Sequence, residues 1–131
     1  MNMRLLVDTD FLIALIKEDD KNHSKAISKL KGLKEALIFV TPFTIPETAT
    51  VLSYKVSQKS AKKFLREARR KFVELSLNEE IIALADKIFL TQNKKGISWI
   101  DCLNAAIVKY YKFEGILSFD KFYSKVGIKI I

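Results

Sequence analysis

The chain has 131 residues, 49% apolar and 29% charged, which suits one domain with a real hydrophobic core. Its single cysteine, Cys102, excludes an internal disulfide, and its single histidine, His23, leaves no ligand set for a closed zinc site, so any metal must be held mainly by oxygen. The excess of 23 Lys+Arg over 15 Asp+Glu, +8 in all, favours an anionic partner such as nucleic acid, although charge alone does not separate RNA, DNA and membrane.

The longest wholly apolar run near the N-terminus, "FLIALI", is far too short to span a bilayer, and Asp8 and Asp10 interrupt anything resembling a secretion signal. No membrane partner and a cytoplasmic location are expected. Four glycines and two prolines leave no flexible linker, and no repeat or low-complexity segment is present, so residues 1–131 read as one domain.

In chain order, "RLLV" reads as a short buried strand ending at Asp8, and "FLIALIK" starts a helix after almost no loop. Residues 21–35 continue with helical spacing, placing Ala26, Ile27, Leu30 and Leu33 on one side. "ALIFVT" is a second strand, followed by the helix "TIPETATVLSYKVS" with Thr44 as its cap and Pro46 in its first turn. A helix over 60–72, a short strand "FVELS" and a helix "NEEIIALADKIFL" come next, the last with Ile81, Leu84, Ala85 and Ile88 on one face. "SWIDCLNAAIVKYYKF" is the last long helix, leading into the strands "GILS" and "IKII". Strands separated by helices predict an α/β fold around a mostly parallel, five-stranded sheet.

In such a sheet ligands sit at the strands' carboxyl ends, and four acids reach that edge. Asp8 ends the first strand, Asp120 follows "GILS", and Glu47 lies in the first turn after the second strand. Asp101 starts a helix that runs back along "GILS", so its beginning lies beside that strand's end. Carboxylates without histidine or thiolate are the ligand set of Mg²⁺ or Mn²⁺. Without a cation they would repel one another, and with one a bound water becomes a nucleophile toward a phosphoryl group.

The ordered motifs "LLVDTDFLIAL", "TPFTIPETATVL", "ISWIDCLNAAIVKYY" and "GILSFDKFY" together resemble the PIN domain, and at this length the small toxin ribonucleases of VapC type. The resemblance covers essentially the whole chain. It implies an α/β/α sandwich with a five-stranded parallel sheet, a Mg²⁺-dependent endoribonuclease, a homodimer, and a cognate antitoxin that blocks the site. Asp8, Glu47, Asp101 and Asp120 match the four family acids, and Ala105, Ala106, Phe122 and Tyr123 suit the flanking pattern. Asp10 departs from the Asn or Ser that many members carry there, and capping the following helix is its expected role.

Each acid also has a bland reading. Thr44 to Glu47 and Ser98 to Asp101 both fit a helix capping box, and Asp120 suits the start of a turn. Asp8 is harder to explain away, and the expectation is that the turn after the first strand keeps it out of the core. "DTDFL" also invites a haloacid-dehalogenase-like phosphatase, but the fifth position is Leu12 rather than Thr or Val. A third reading is a PIN-like module that holds RNA without cutting it.

Lys55, Lys59, Lys62, Arg66 and Arg69 fall at steps of four and three, a basic stripe for RNA phosphates if one continuous helix carries them. Ala61, Leu65, Ala68 and Phe72 would form its apolar stripe. Trp99 reads as packing more than as a base platform, Tyr110 and Tyr111 as packing or a dimer surface, Cys102 as a buried small side chain, and His23 as exposed and without a catalytic role.

Overall fold

The computed structural model describes residues 2–131. Its elements are β1 (Arg4–Val7), α1 (Thr9–Ile16), α2 (His23–Lys31), β2 (Leu37–Val40), α3 (Thr44–Lys55), α4 (Gln58–Lys71), β3 (Val73–Glu74), α5 (Glu79–Leu90), α6 (Trp99–Tyr111), β4 (Gly115–Leu117) and α7 (Phe122–Lys125). The strands form one sheet in the order β3-β2-β1-β4, with every pairing parallel.

Alternation along the strands creates the layers, because successive side chains point to opposite faces. Leu6 and Ile116 face a core closed by α5, α6 and Tyr123, while Leu5, Val7 and Leu117 face a second core closed by α1, α3 and α4. The result is the expected three-layer sandwich. The helical faces read from spacing hold for α5, where Ile81, Ala85 and Ile88 are buried.

The sheet has four strands instead of five. The segment "IKII" joins it only as an isolated parallel bridge between Ile130 and Ile116, with hydrogen bonds from Ile116 N–H to Lys129 and from Ile131 N–H to Ile116. It enters from Gly127, which sits at φ 81° in the left-handed region that favours glycine. Pairing limited to one bridge does not make a strand.

Two separate helices are found over 44–71, as read from the sequence, so the one continuous helix on which the basic stripe depended is absent. α3 ends at Lys55 and Ser57 caps α4 by accepting from Ser60 N–H, so Lys55 lies on a different helix from Lys59, Lys62, Arg66 and Arg69. Within α4 the buried face is Ala61, Phe64 and Ala68, and Leu65 is exposed. Among the described residues no helix is long and apolar enough to cross a membrane.

Gly115 makes the close approach of the C-terminal segment possible. A Cβ there would stand 2.5 Å from the Lys129 carbonyl oxygen and 2.8 Å from the Ile131 side chain. Backbone cannot yield as a flexible side chain can, so Gly115→Ala should destabilise the fold by about 1–3 kcal/mol, read as a lower urea midpoint at unchanged slope.

Candidate active site

The β1–β4 pairing extends one residue past β1, because Asp8 N–H donates to the carbonyl of Leu117, the last residue of β4, at 2.9 Å. This fixes Asp8 at the carboxyl edge of the sheet, where its side chain caps α1 by accepting from Thr9 N–H at 2.8 Å. Its neighbours close over it. Asp8 is only 9% exposed, so the expectation that the turn keeps it out of the core is corrected: the carboxylate stands at the edge but beneath other side chains.

Both Asp8 oxygens are engaged. Oδ1 accepts from Thr9 N–H and from Asn104 Nδ2 at 3.3 Å, and Oδ2 accepts from the Tyr123 hydroxyl at 2.8 Å and lies 3.1 Å from Ser118 Oγ. Ser118 has one proton and two acidic partners, since its Oγ is also 3.2 Å from Asp10 Oδ1. When that proton serves Asp10, Asp8 Oδ2 is left with an open acceptor site. Ser118 Oγ in turn accepts from Asp120 N–H at 3.1 Å, so Ser118 ties Asp8, Asp10 and the Asp120 backbone together.

Asp10 does not cap α1. Its carboxylate crosses to the turn after β4 and accepts from Phe119 N–H at 3.0 Å, because Asp8 already fills the cap position. Asp101 does take its bland role: Ser98 Oγ accepts from Asp101 N–H at 3.0 Å and Asp101 Oδ2 accepts from Ser98 N–H at 3.1 Å. That capping box fixes one carboxylate oxygen and leaves the other for a further partner. Asp120 accepts from Phe122 N–H at 2.9 Å, the local turn expected of it. The Thr44–Glu47 box is not formed. Phe43 holds the cap position, and Thr44 Oγ1 instead accepts from Thr41 N–H at 3.2 Å.

The four acids expected at the edge, with Asp10, are near enough to feel one another. Burial first, then repulsion from Asp10, pushes the Asp8 carboxyl up to about 7, against the pull of the Tyr123 hydrogen bond. Burial raises Asp10 too, with Asp120 adding to it, and raises Asp101 with a further contribution from Asp120. Partial burial and the charge of Asp101 raise Glu47. No ion pair relieves this charge: the two among the described residues are Lys17–Asp19 and Arg69–Glu74, both elsewhere.

The donors fit a hard divalent cation in chemistry, being all oxygen, but among the described residues no group of three or more stands close enough to enclose an ion. The structure therefore shows an open set of donors, and Asp8, Asp101, Glu47 and Asp120 are the residues that could hold a metal. Sequence reading missed Asn104, Ser118 and the role of the Tyr123 hydroxyl. Asn104 carried a signal: it is the polar residue in the run "CLNAAIV", three positions after Asp101, which the helical period turns toward the same edge. Its Oδ1 is buried without a hydrogen-bond partner.

The surrounding aromatics pack. Trp99 is half-buried, donates through Nε1 to Asp86 at 2.8 Å and meets the edge of Phe43, while Tyr111 stacks on Phe113 and Tyr110 accepts from Asn78. His23 is half-buried rather than exposed, with Nδ1 2.6 Å from the Ala14 carbonyl. Cys102 is buried as expected.

A carboxyl raised on folding favours the folded state while both forms are protonated, and this advantage is lost as pH rises through the folded value. For Asp8 the window runs from about 4 to about 7. Metal-free protein should lose on the order of 3 kcal/mol of stability across it, seen as a falling melting temperature. Asp8→Asn should flatten the profile, because Ser118 and Tyr123 hydroxyls can turn to accept from the amide.

The PIN domain family model matches residues 5–129. No curated protein matches the chain. Among solved structures, Mycobacterium tuberculosis VapC20, a sarcin–ricin loop cleaving toxin, superimposes with a TM-score of 0.83 at 19% identity, covering 97% of this chain and 98% of that one. VapBC2 from Rickettsia felis, bound to a DNA fragment from its promoter, gives a TM-score of 0.69 at 13% identity, covering 95% and 92%. VapBC-1 from nontypeable Haemophilus influenzae gives 0.66 at 18% identity, covering 94% and 91%. At these identities the structures speak for the fold, which is that of VapC-type toxins. The family model spans nearly all of the chain, from within β1 to the segment after α7, and this protein belongs to the PIN domain family.

Proposed function

We propose that this protein is a Mg²⁺- or Mn²⁺-dependent endoribonuclease of VapC type, the toxin of a toxin–antitoxin pair. The observation that carries the reading is the set of mutually repelling carboxylates at the sheet's carboxyl edge with no cationic side chain paired to any of them. A divalent ion, when bound, supplies Lewis acidity: it lowers the pKa of water and offsets charge developing on a phosphoryl group.

Asp8 and Asp101 would hold the ion most directly, with Glu47 and Asp120 acting partly through water. Ser118, Asn104 and Tyr123 orient Asp8, as partners of a metal ligand do. Exposed Lys59, Lys62 and Arg66 of α4, with Lys55 at the end of α3 and Arg69 beside Glu74, offer a basic surface for RNA phosphates. α4 packs against α3, whose first turn carries Glu47, so this surface adjoins the helix that serves the acids.

The relatives from R. felis and H. influenzae are VapBC assemblies, and on that basis we assign this chain an antitoxin partner. Homodimerisation and a cytoplasmic location belong to the same reading. Membership of the PIN family sets the phosphatase alternative aside. A non-catalytic RNA-binding module has one observation in its favour, that all the Asp8 acceptor oxygens already have partners.

Cleavage of a mixed structured and single-stranded RNA pool separates the two. Wild-type protein freed of antitoxin should yield fragments with Mg²⁺ or Mn²⁺ and none with EDTA, and Asp8→Asn or Asp101→Asn should cut at least about 100-fold more slowly. RNA bound with equal affinity with and without the ion, and no products, would favour the binding module.

A further inference from the structure

We propose that the cavity between α2 and the turn after β4 is a ribonucleotide subsite, which holds the phosphate and ribose of an RNA strand beside the acids. The inference rests on the nuclease reading above. The cavity is an open groove of about 640 Å³, lined by Ser24, Lys25, Ser28 and Lys29 of α2 together with Ser118, Phe119 and Ile130. That is a volume typical of small-molecule sites.

Its wall follows from helical spacing. Ser24 and Ser28 are four residues apart, as are Lys25 and Lys29, so a pair of hydroxyls and a pair of ammonium groups each lie along one side of the same helix. The core does not need Ser24, Lys25 or Ser28 there. Ala26 is the buried residue of α2, whereas Ser24, Lys25 and Ser28 are exposed. Lys29 is half-buried and its ammonium donates to the Ile131 carbonyl, so Lys25 is the lysine of this wall whose ammonium has no protein partner among the described residues.

The other wall belongs to the acids. Ser118 Oγ reaches Asp8 and Asp10, and Phe119 N–H donates to Asp10 at 3.0 Å, so the cavity begins one side chain from the carboxylate cluster. A strand with a phosphate at the acids would bring its neighbouring nucleotide to this wall. Two lysines there supply the attraction that the acids deny to a polyanion, and serine hydroxyls, both donors and acceptors, suit the ribose 2′-OH.

The test is binding of a fluorescein-labelled single-stranded RNA hexamer by anisotropy in EDTA, where no cleavage is required. Lys25→Ala/Ser28→Ala should weaken RNA binding about tenfold and lower the salt slope by roughly 0.7, the share of one phosphate neutralised by one lysine. It should also narrow the preference for RNA over DNA of the same sequence. Lys31→Ala, an exposed lysine of α2 outside the cavity, should change affinity less than about twofold. Unchanged RNA binding by the double variant, or an equal weakening with Lys31→Ala, overturns the subsite. Loss of poly-glutamate binding with RNA binding retained also overturns it, in favour of an acidic protein segment. RNA held through these residues but never cut with Mg²⁺ or Mn²⁺ would defeat the nuclease reading and leave the subsite standing.

Discussion

The backbone hydrogen bond from Asp8 to Leu117 is the constraint on which the site depends. It carries the β1–β4 pairing one residue past β1, to the last residue of β4, and so fixes where the two strands diverge. From that point β1 turns directly into α1 with Asp8 as cap, and β4 turns into the loop that supplies Ser118, Phe119 and Asp120. Parallel pairing forces every strand to leave the sheet on the same side, and the acids that follow the strands are gathered there without any long-range sequence code.

Gathering them is unfavourable as it stands. Buried carboxylates resist ionisation, and neighbouring ones resist it further. The protein offsets part of this with neutral donors, the hydroxyls of Tyr123 and Ser118 and the amide of Asn104, rather than with lysine or arginine. Neutral donors orient a carboxylate but do not cancel its charge. No lysine or arginine among the described residues pairs with the cluster, and the basic residues lie outside it, on α2 and α4.

Much of this was legible in the sequence because it follows from period and order. Unbroken apolar runs in "RLLV" and "GILS" and helical spacing in α5 specify a sheet buried on both faces, and the positions of Asp8, Asp101 and Asp120 at strand or helix ends follow from those assignments. What was not legible depends on which of two adjacent groups wins a local contest. Asp8 and Asp10 both suit a helix cap, and only the crossing contact from Asp10 to Phe119 decides between them. The split between α3 and α4 was legible as two helices, and Ser57 capping the second removes the single continuous helix that the basic stripe required. The C-terminal "IKII" has the composition of a strand, but its backbone meets β4 at one bridge only.

Isothermal titration of Mn²⁺ into metal-free protein at pH 7, in two buffers of different ionisation enthalpy, probes the charge of the cluster directly. A cation site built on Asp8, whose carboxyl lies near 7 in the free protein, should give saturable binding with net proton release, and Asp8→Asn should lose both. No saturable binding at millimolar Mn²⁺, or the same binding and proton release in Asp8→Asn, would contradict it.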